Sequence, residues 1–151
     1  MAIIQDPRKF FQFSIILEGL NPFLCQEVEV PEVEVEKAEH GDTNYDVKTA
    51  GRTKYGTLRL KKLRVASASD NLFFNWMKQC SNVWSGGGDT PILYKKNLYV
   101  DELGLDGSTI LNSEFYENVW PSRRGAMNFQ RMTSDNLIEE IEMEVDRVDR
   151  V

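Results

Sequence analysis

One histidine and two cysteines are all the imidazole and thiol chemistry in this chain. Cys25 and Cys80 have no second cysteine pair, and there is no His/Cys cluster, so a zinc site of ordinary spacing is excluded and no metal is expected. A Ser/His/Asp triad would have to use His40, which stands beside Gly41 in a polar stretch, and no Gly-x-Ser-x-Gly turn accompanies it. The phosphate-cradling Gly-x-x-x-x-Gly-Lys pattern is missing as well. Gly86-Gly87-Gly88 follows a predicted helix instead of opening one, and reads as a flexible exit. No catalytic residue and no cofactor is therefore expected. No apolar run approaches the ~20 residues of a membrane span, so no membrane insertion is expected. The N-terminus lacks the charged-then-apolar layout of a secretory signal, which makes a cytosolic product the expectation. In that reducing setting the two cysteines read as small apolar side chains. Basic charge is in short supply too. The formal net charge is −6 and the pI is near 4.9, which argues against a protein that wraps nucleic acid on a basic face.

What remains is a chain of 151 residues, the size of one domain. A chain of this length can bury roughly 68–70% of its extended surface, so a core without staples is feasible. Phe11, Phe13, Ile15 and Leu17 alternate with mostly polar neighbours, which predicts a half-buried strand over Phe10–Leu17. Gly19-Leu20-Asn21-Pro22 then turns the chain. In the next stretch Val28 and Val30 share one parity, while after Pro31 Val33 and Val35 take the other. One inserted residue at Pro31–Glu32, a bulge, would return all four valines to one side. Leu58 and Leu60 against Leu63 and Val65 show a similar switch near Lys62. Two bulged strands facing each other predict a sharply curved sheet.

Between these strands lies a long stretch with almost no aliphatic residue, from Glu39 to Gly56. Most hairpin connections have about two to five residues, so this reads as an extended loop with a task outside its own domain. Charge is segregated around it. Glu27, Glu29, Glu32, Glu34, Glu36, Glu39 and Asp42 precede it or open it, with only Lys37 opposing. From Val47 to Val65 every charge is basic: Lys48, Arg52, Lys54, Arg59, Lys61, Lys62 and Arg64. Two readings fit: a solvated face whose charges pair across the two strands, or complementary surfaces on neighbouring copies. Exposed pairs add little stability but set register and specificity.

Ser69-Asp70-Asn71 offers a helix cap, and Leu72, Phe73, Trp76, Cys80, Val83 and Trp84 recur at helical spacing. This predicts one amphipathic helix from Asp70 to about Val83, laid as a lid on a sheet. Ile92–Asp101 and Ile110–Trp120 read as two further strands around Gly104-Leu105-Asp106-Gly107, the second ending at Pro121. Arg123 and Arg124 read as a surface turn. The tail, Asn136–Arg150, carries both a strand pattern in Ile141, Met143 and Val145 and a helical one in Ile138, Ile141, Val145 and Val148. Periodicity does not separate them.

Several segments, in order, resemble one family: the tail tube proteins of contractile bacteriophage tails and related phage-like injection particles. The resemblance covers nearly the whole chain. It runs from the short arm before Phe10-Phe11-Gln12-Phe13, through the acidic strand and polar loop, to Gly56-Thr57-Leu58-Arg59-Leu60-Lys61 and the aromatic pair around Leu72–Trp76. Its most specific piece is Phe115-Tyr116-Glu117-Asn118-Val119-Trp120-Pro121, similar to the family's Phe-x-Asn-Ala-Trp-Pro element with Val119 in place of Ala. Ile138-Glu139-Glu140-Ile141-Glu142-Met143-Glu144 is similar to the closing strand.

The resemblance implies a mainly β fold, a β-sandwich or partly closed barrel with one flanking helix, and it makes the tail a strand. It implies a single tail-tube domain over 1–151, with an N-terminal arm at 1–9 and a polymerisation loop at 38–56. Six copies would form a ring, their inner strands joining into one barrel, and rings would stack into a tube. The loop, with Gly41, Asp42, Asn44, Tyr45, Asp46, Lys48, Arg52, Lys54 and Tyr55, would lock one ring to the next. Candidate acids for the lumen are Glu32, Glu34, Glu36, Glu140, Glu142 and Glu144, and which set faces inward stays open. Such acids would repel DNA phosphates, so that DNA slides without specific binding. Trp76, Trp84, Trp120 and Pro121 would anchor the helix and sheet. Phe11, Phe13, Ile15, Val28, Val30, Val33, Val35, Leu58 and Leu60 would build the core or the inter-subunit barrel. The implied partners are the chain itself, a sheath protein, a baseplate and a tail terminator. The implied place is the tail of a virion assembled in a bacterial cytoplasm, serving DNA ejection. Three other readings fit parts of the sequence. One is an inner tube of a protein-injecting particle. A second is a monomeric ligand- or carbohydrate-binding sandwich. The third is a carboxylate-pair glycosidase, which the regular alternation of the acids disfavours.

Overall fold

The computed structural model describes residues 11–18, 25–41, 44–64, 71–132 and 134–150. Phe10, Gly19-Leu20-Asn21-Pro22, Asp42, Val65, Ser69 and Asp70, and the 1–9 arm lie outside the described residues. The described residues form nine strands and two helices, in order β1 (Phe13–Leu17), β2 (Cys25–Glu29), β3 (Val33–Gly41), β4 (Asp46–Tyr55), β5 (Leu58–Leu63), α1 (Leu72–Cys80), α2 (Pro91–Tyr94), β6 (Lys96–Leu103), β7 (Ile110–Arg124), β8 (Ile138–Glu144) and β9 (Arg147–Arg150). The chain is mainly β, as its alternation predicts. Among the described residues no helix is long and apolar enough to cross a membrane.

One strand belongs to two sheets. The first part of β7 pairs with β6 on one side and β9 on the other, and its end pairs with β8. Beyond β8 the order continues to β5 and then β2, and β1 lies outside β6. All these pairings are antiparallel. The two sheets share one core, with Leu17, Leu98, Val100, Tyr116 and Val119 from one and Leu58, Leu60, Ile141 and Met143 from the other. They are layered like a sandwich and do not close into a barrel within the chain. Helix α1 adds Phe73 and Trp76 to the core, and the Trp76 indole N–H donates to the Tyr94 carbonyl at 2.6 Å.

Asn118 explains how β7 changes sheets. Its φ is +56°, among the described residues the only positive value on a residue other than glycine. Left-handed backbone costs most side chains about 1–2 kcal/mol, and asparagine tolerates it better than most. The turn comes just before Trp120, where β8 takes over as partner. Pro121, buried and without an N–H, sits beside a bulge between Pro121 and Arg123, a place where a missing ladder donor costs little. The strand thus runs through the proline to Arg124, beyond the stop predicted at Pro121, and Arg123 and Arg124 are strand residues, not a surface turn.

Other expectations shift for identifiable reasons. The curved hairpin is not bulged at Pro31. Instead both chains leave the sheet opposite one another, at Val30–Glu32 and Gly56–Thr57, and the Gly56 N–H donates to the Glu32 carbonyl at 2.8 Å. The bulges lie between Cys25 and Glu27 and between Val35 and Lys37. Consequently Val30, Val33 and Val35 are exposed, as is Phe11, while Val28 and Ile15 pack on the core. No parity switch occurs at Lys62. β5 pairs with β8 without interruption, and Lys62 stays on the buried face opposite Glu139, also buried. Helix α1 is shorter than predicted, and its Asn71 cap makes no side-chain bond. Pro91–Tyr94 forms a helical turn that delays the next strand to Lys96, because proline is well placed at the first position of a helix. Gly86-Gly87-Gly88 is an ordered turn: the Asn82 N–H donates to the Gly87 carbonyl at 2.7 Å. A Cβ on Gly88 would stand 2.2 Å from the Cys80 carbonyl oxygen, so only glycine fits there. The tail is the strand pattern, in two pieces, β8 and β9.

The Asn118 geometry predicts that Asn118→Val lowers stability by about 1–2 kcal/mol, while Asn118→Gly changes it by a few tenths. Thermal melts of the two variants check this, and equal melting temperatures would remove the argument.

Candidate assembly surfaces

The stretch predicted to be a loop is a β-hairpin. β3 and β4 pair along their length, from Val33↔Tyr55 to Gly41↔Asp46, and make no sheet with any other described strand. The residues singled out for the loop therefore occupy defined positions. Asn44 and Tyr45 form the tip with Gly41 and Asp46 flanking it, and Tyr45 is exposed. Lys48 faces Glu39 and Lys54 faces Glu34 across the ladder. Arg52 lies at the bulge, where Gly51 and Arg52 together oppose Glu36, and a Cβ on Gly51 would sit 3.0 Å from the Glu36 carbonyl. The Lys54 ammonium is ion-paired with Glu36, which holds it above its ordinary range. Tyr55 is half-buried at the stem. Strand alternation places Val33, Val35, Thr53 and Tyr55 on one face and Glu34 and Lys54 on the other. Nearly every side chain of the hairpin is exposed, and among the described residues no other strand pairs with it.

The second surface is the open face of the four-stranded sheet β7-β8-β5-β2. Its inner face carries Leu58, Leu60, Ile141 and Met143. On its outer face the register sets one residue from each strand in a row: Glu29↔Arg59, Arg59↔Glu142, Arg123↔Glu142. The row is ionically continuous. Arg59 lies 3.7 Å from Glu29 and 3.3 Å from Glu142, and Arg123 lies 3.0 Å from Glu142. A second row runs Glu27, Lys61, Glu140, with Lys61 at 3.3 Å from Glu27 and the Gly125 N–H donating to the Glu140 carbonyl. Glu144 accepts from the Ser122 hydroxyl at 3.4 Å. Charges thus pair across β2 and β5, the first of the two readings of the segregated charge.

The six candidate acids fall into two separate groups. Glu34 and Glu36 stand on the hairpin and Glu32 at its stem, whereas Glu140, Glu142 and Glu144 share the open face of β8. Glu142 is neutralised by two guanidinium groups, which its position in the sequence did not disclose. The row as a whole was not visible in the sequence either. It needs the register of four strands from distant segments, and only the alternation of acid and base on β2 and β5 hinted at it.

Of the aromatic anchors, Trp76 is buried and Trp120 is half-buried, edge-on to Tyr94 with ring centroids 6.4 Å apart. Trp84 does not anchor the helix. It lies in the turn after α1 and is 92% exposed, because the helix ends at Cys80 and the helical spacing lapses. It borders an open groove of about 500 Å³ with Phe74, Met77, Tyr94 and Trp120. Lys78 and Arg124 each stand 5.4 Å from the Phe74 ring centre. Cys25 and Cys80 are free and half-buried, and burial pushes each thiol up to about 11. The described residues contain no group of His, Cys, Asp or Glu able to hold a metal ion.

Sheet edges without a partner among the described residues, a hairpin lacking any core of its own and a face of charged rows are features of a structural subunit. The family comparison agrees. Residues 9–149 match the family model described as T4-like virus tail tube protein gp19, so the chain belongs to that family of structural, non-enzymatic tube proteins. Similar solved structures are components of contractile tail-like particles. The anti-feeding prophage cap, an AFP tube terminating cap, has 18% identity and TM-score 0.83, covering 100% of this chain and 95% of that one. The sheath/tube terminator of the extracellular contractile injection system PVC has 17% identity and TM-score 0.79, covering 99% of each. The sheath-tube complex of the same system gives 17% and 0.78, covering 98% and 93%. At such identities the likeness is one of fold. No curated protein matches the chain in sequence.

Two measurements check these surfaces. In the unassembled chain, amides of β3 and β4 are expected to exchange with solvent far faster than those of β5 and β8, since two exposed strands without a core open locally at little cost. Equal protection would mean that the hairpin is held by the body. Alkylation of Cys25 and Cys80 by iodoacetamide at pH 8 is expected to be slow in the folded chain and ordinary in denaturant, because the thiolate is the reactive form. Rapid labelling of the folded chain would contradict the burial of both thiols.

Proposed function

We propose that the chain is the repeating subunit of the inner tube of a contractile tail: six copies form a ring, rings stack, and the β3–β4 hairpin bridges one ring to the next. The observation that carries this reading is the hairpin. It holds paired backbone and the Lys54–Glu36 ion pair, but Val33 and Val35, which share one face with Tyr55, stay exposed. Leaving such a strip in water is unfavourable, and a neighbouring copy is the natural cover. Residues 38–56 are then the polymerisation element, within one tail-tube domain over 1–151. Phe11, Val30, Val33 and Val35 serve contacts between copies, since the single chain does not bury them.

The partners proposed are a sheath around the tube, a baseplate at one end and a terminator at the other. The similar structures named for a sheath-tube complex and terminators support that set. The site of action is the tail of a virion or related particle, assembled in the bacterial cytoplasm. The lumen is proposed to carry Glu140, Glu142 and Glu144, with DNA sliding past like charge on its way into the host. A second reading, a tube that passes protein, is favoured by the neutralisation of Glu142, since a face of balanced rows repels phosphate less than a purely acidic one. The two predict different gene neighbours, capsid genes for the first and toxin genes for the second.

Replacing Ala38–Thr49 by a two-residue Asn-Gly turn keeps the pairs from Val33↔Tyr55 to Lys37↔Ala50. The shortened chain is expected to melt like the parent but to form no tubes in electron micrographs. Normal tubes from it would refute the role of the hairpin.

A further inference from the structure

The charged row of the open sheet ends in opposite signs at its two edges. We propose that this makes a one-way code for ring closure: the acidic edge of one copy, Glu27 and Glu29 on β2, meets the basic edge of the next, Arg123 on β7. The inference rests on the proposed tube function and specifies how copies recognise one another.

Both strands are edges among the described residues. β2 pairs only with β5, and Trp120–Arg124 pairs only with β8. Each therefore offers unpaired backbone groups to a further strand. Along the row the signs run minus, plus, minus, plus, from Glu29 through Arg59 and Glu142 to Arg123. The end residues are the least satisfied. Arg123 leaves 65% of its side chain in solvent, and its one carboxylate, Glu142, is shared with Arg59. Glu29 leaves 62% exposed and reaches only Arg59, at 3.7 Å. A guanidinium with five donors has capacity for a second carboxylate.

Between these two edges, two copies have three pairings available. Joining β2 to β2 sets acids against acids, and joining the ends of two β7 strands sets Arg123 against Arg123. Like charges directly opposite on adjacent strands are unfavourable. Only β2 against β7 continues the alternation, and it does so with two different surfaces. Such a head-to-tail contact cannot stop at a two-fold dimer and either closes into a ring or runs on. The ion pairs add little affinity. Their effect is to reject the wrong edge.

Charge reversal tests this by complementation. The variant Arg123→Glu has two acidic edges, and the variant Glu27→Lys/Glu29→Lys has two basic ones. Each alone is expected to raise the critical concentration for ring or tube formation by at least about tenfold. Mixed one to one they are expected to assemble again near the parent's concentration, in rings that alternate the two variants. Thermal melts establish that each variant folds. Should either reversal unfold the chain, Arg123→Gln and Glu29→Gln serve instead, and each is expected to weaken assembly and flatten its salt dependence. Variants that assemble alone as the parent does would overturn the code, and so would folded variants that stay apart when mixed. A parent chain that remains monomeric at high concentration would instead overturn the tube function itself.

Discussion

The structure hangs on a single strand hydrogen-bonded into two sheets. β7 is fifteen residues long, and it can serve both sheets only because its backbone turns at Asn118 and its ladder slips after Pro121. That turn lets β8 run alongside β5 while β6 and β9 hold the other half. Because the sheets share a strand, their apolar faces meet in one cluster, and Phe73 and Trp76 of α1 pack into it. The Phe115-Tyr116-Glu117-Asn118-Val119-Trp120-Pro121 element has a physical meaning here. The asparagine supplies the left-handed step, the tryptophan packs against Tyr94, and the proline occupies a position where no ladder donor is needed.

Away from that core, electrostatics sets arrangement more than stability. The open sheet face is laced by exposed ion pairs, each contributing about 0–1 kcal/mol, and Lys54–Glu36 crosses the hairpin. Their value is in register: a one-residue slip would set Glu34 against Thr53 or Tyr55, and Glu142 against Leu58 or Leu60. Lys62 and Glu139 are the exception. They lie opposite each other in the β5–β8 register on the buried side, and Arg64 stands 3.7 Å from the Glu139 carboxylate; removing the charge partner of a buried carboxylate is far more costly than at the surface.

The parts of the fold legible in the sequence were those with an apolar period. The alternation in Phe13–Leu17, Leu58–Leu60 and Ile141–Met143 marked strands that are strands, and Leu72 to Cys80 marked the helix. The hairpin escaped because hydrophobic periodicity reports only a buried face, and the hairpin has none. Pro121 read as a stop because proline ordinarily is one, whereas a bulge at a sheet edge removes the penalty. Trp84 fits the helical spacing, yet the helix ends four residues earlier and leaves the indole in solvent. Leu63 and Val65 looked like a change of face near Lys62, yet Leu58, Leu60 and Lys62 share the buried side, with Glu139 of a distant segment opposite Lys62.

By itself the sequence determined the class of fold, the near absence of imidazole and thiol chemistry, the polarity of the 39–56 segment and the segregation of acid from base, because each is a property of composition or of local period. Tertiary structure alone decided that the polar segment is paired strand, that the open sheet carries alternating ionic rows, and that the row from Glu29 to Arg123 ends with opposite signs at two edges that no other described strand covers. Register is the reason: which charge meets which depends on how four distant segments align, and that alignment is set by the burial of the opposite faces, not by the charges themselves.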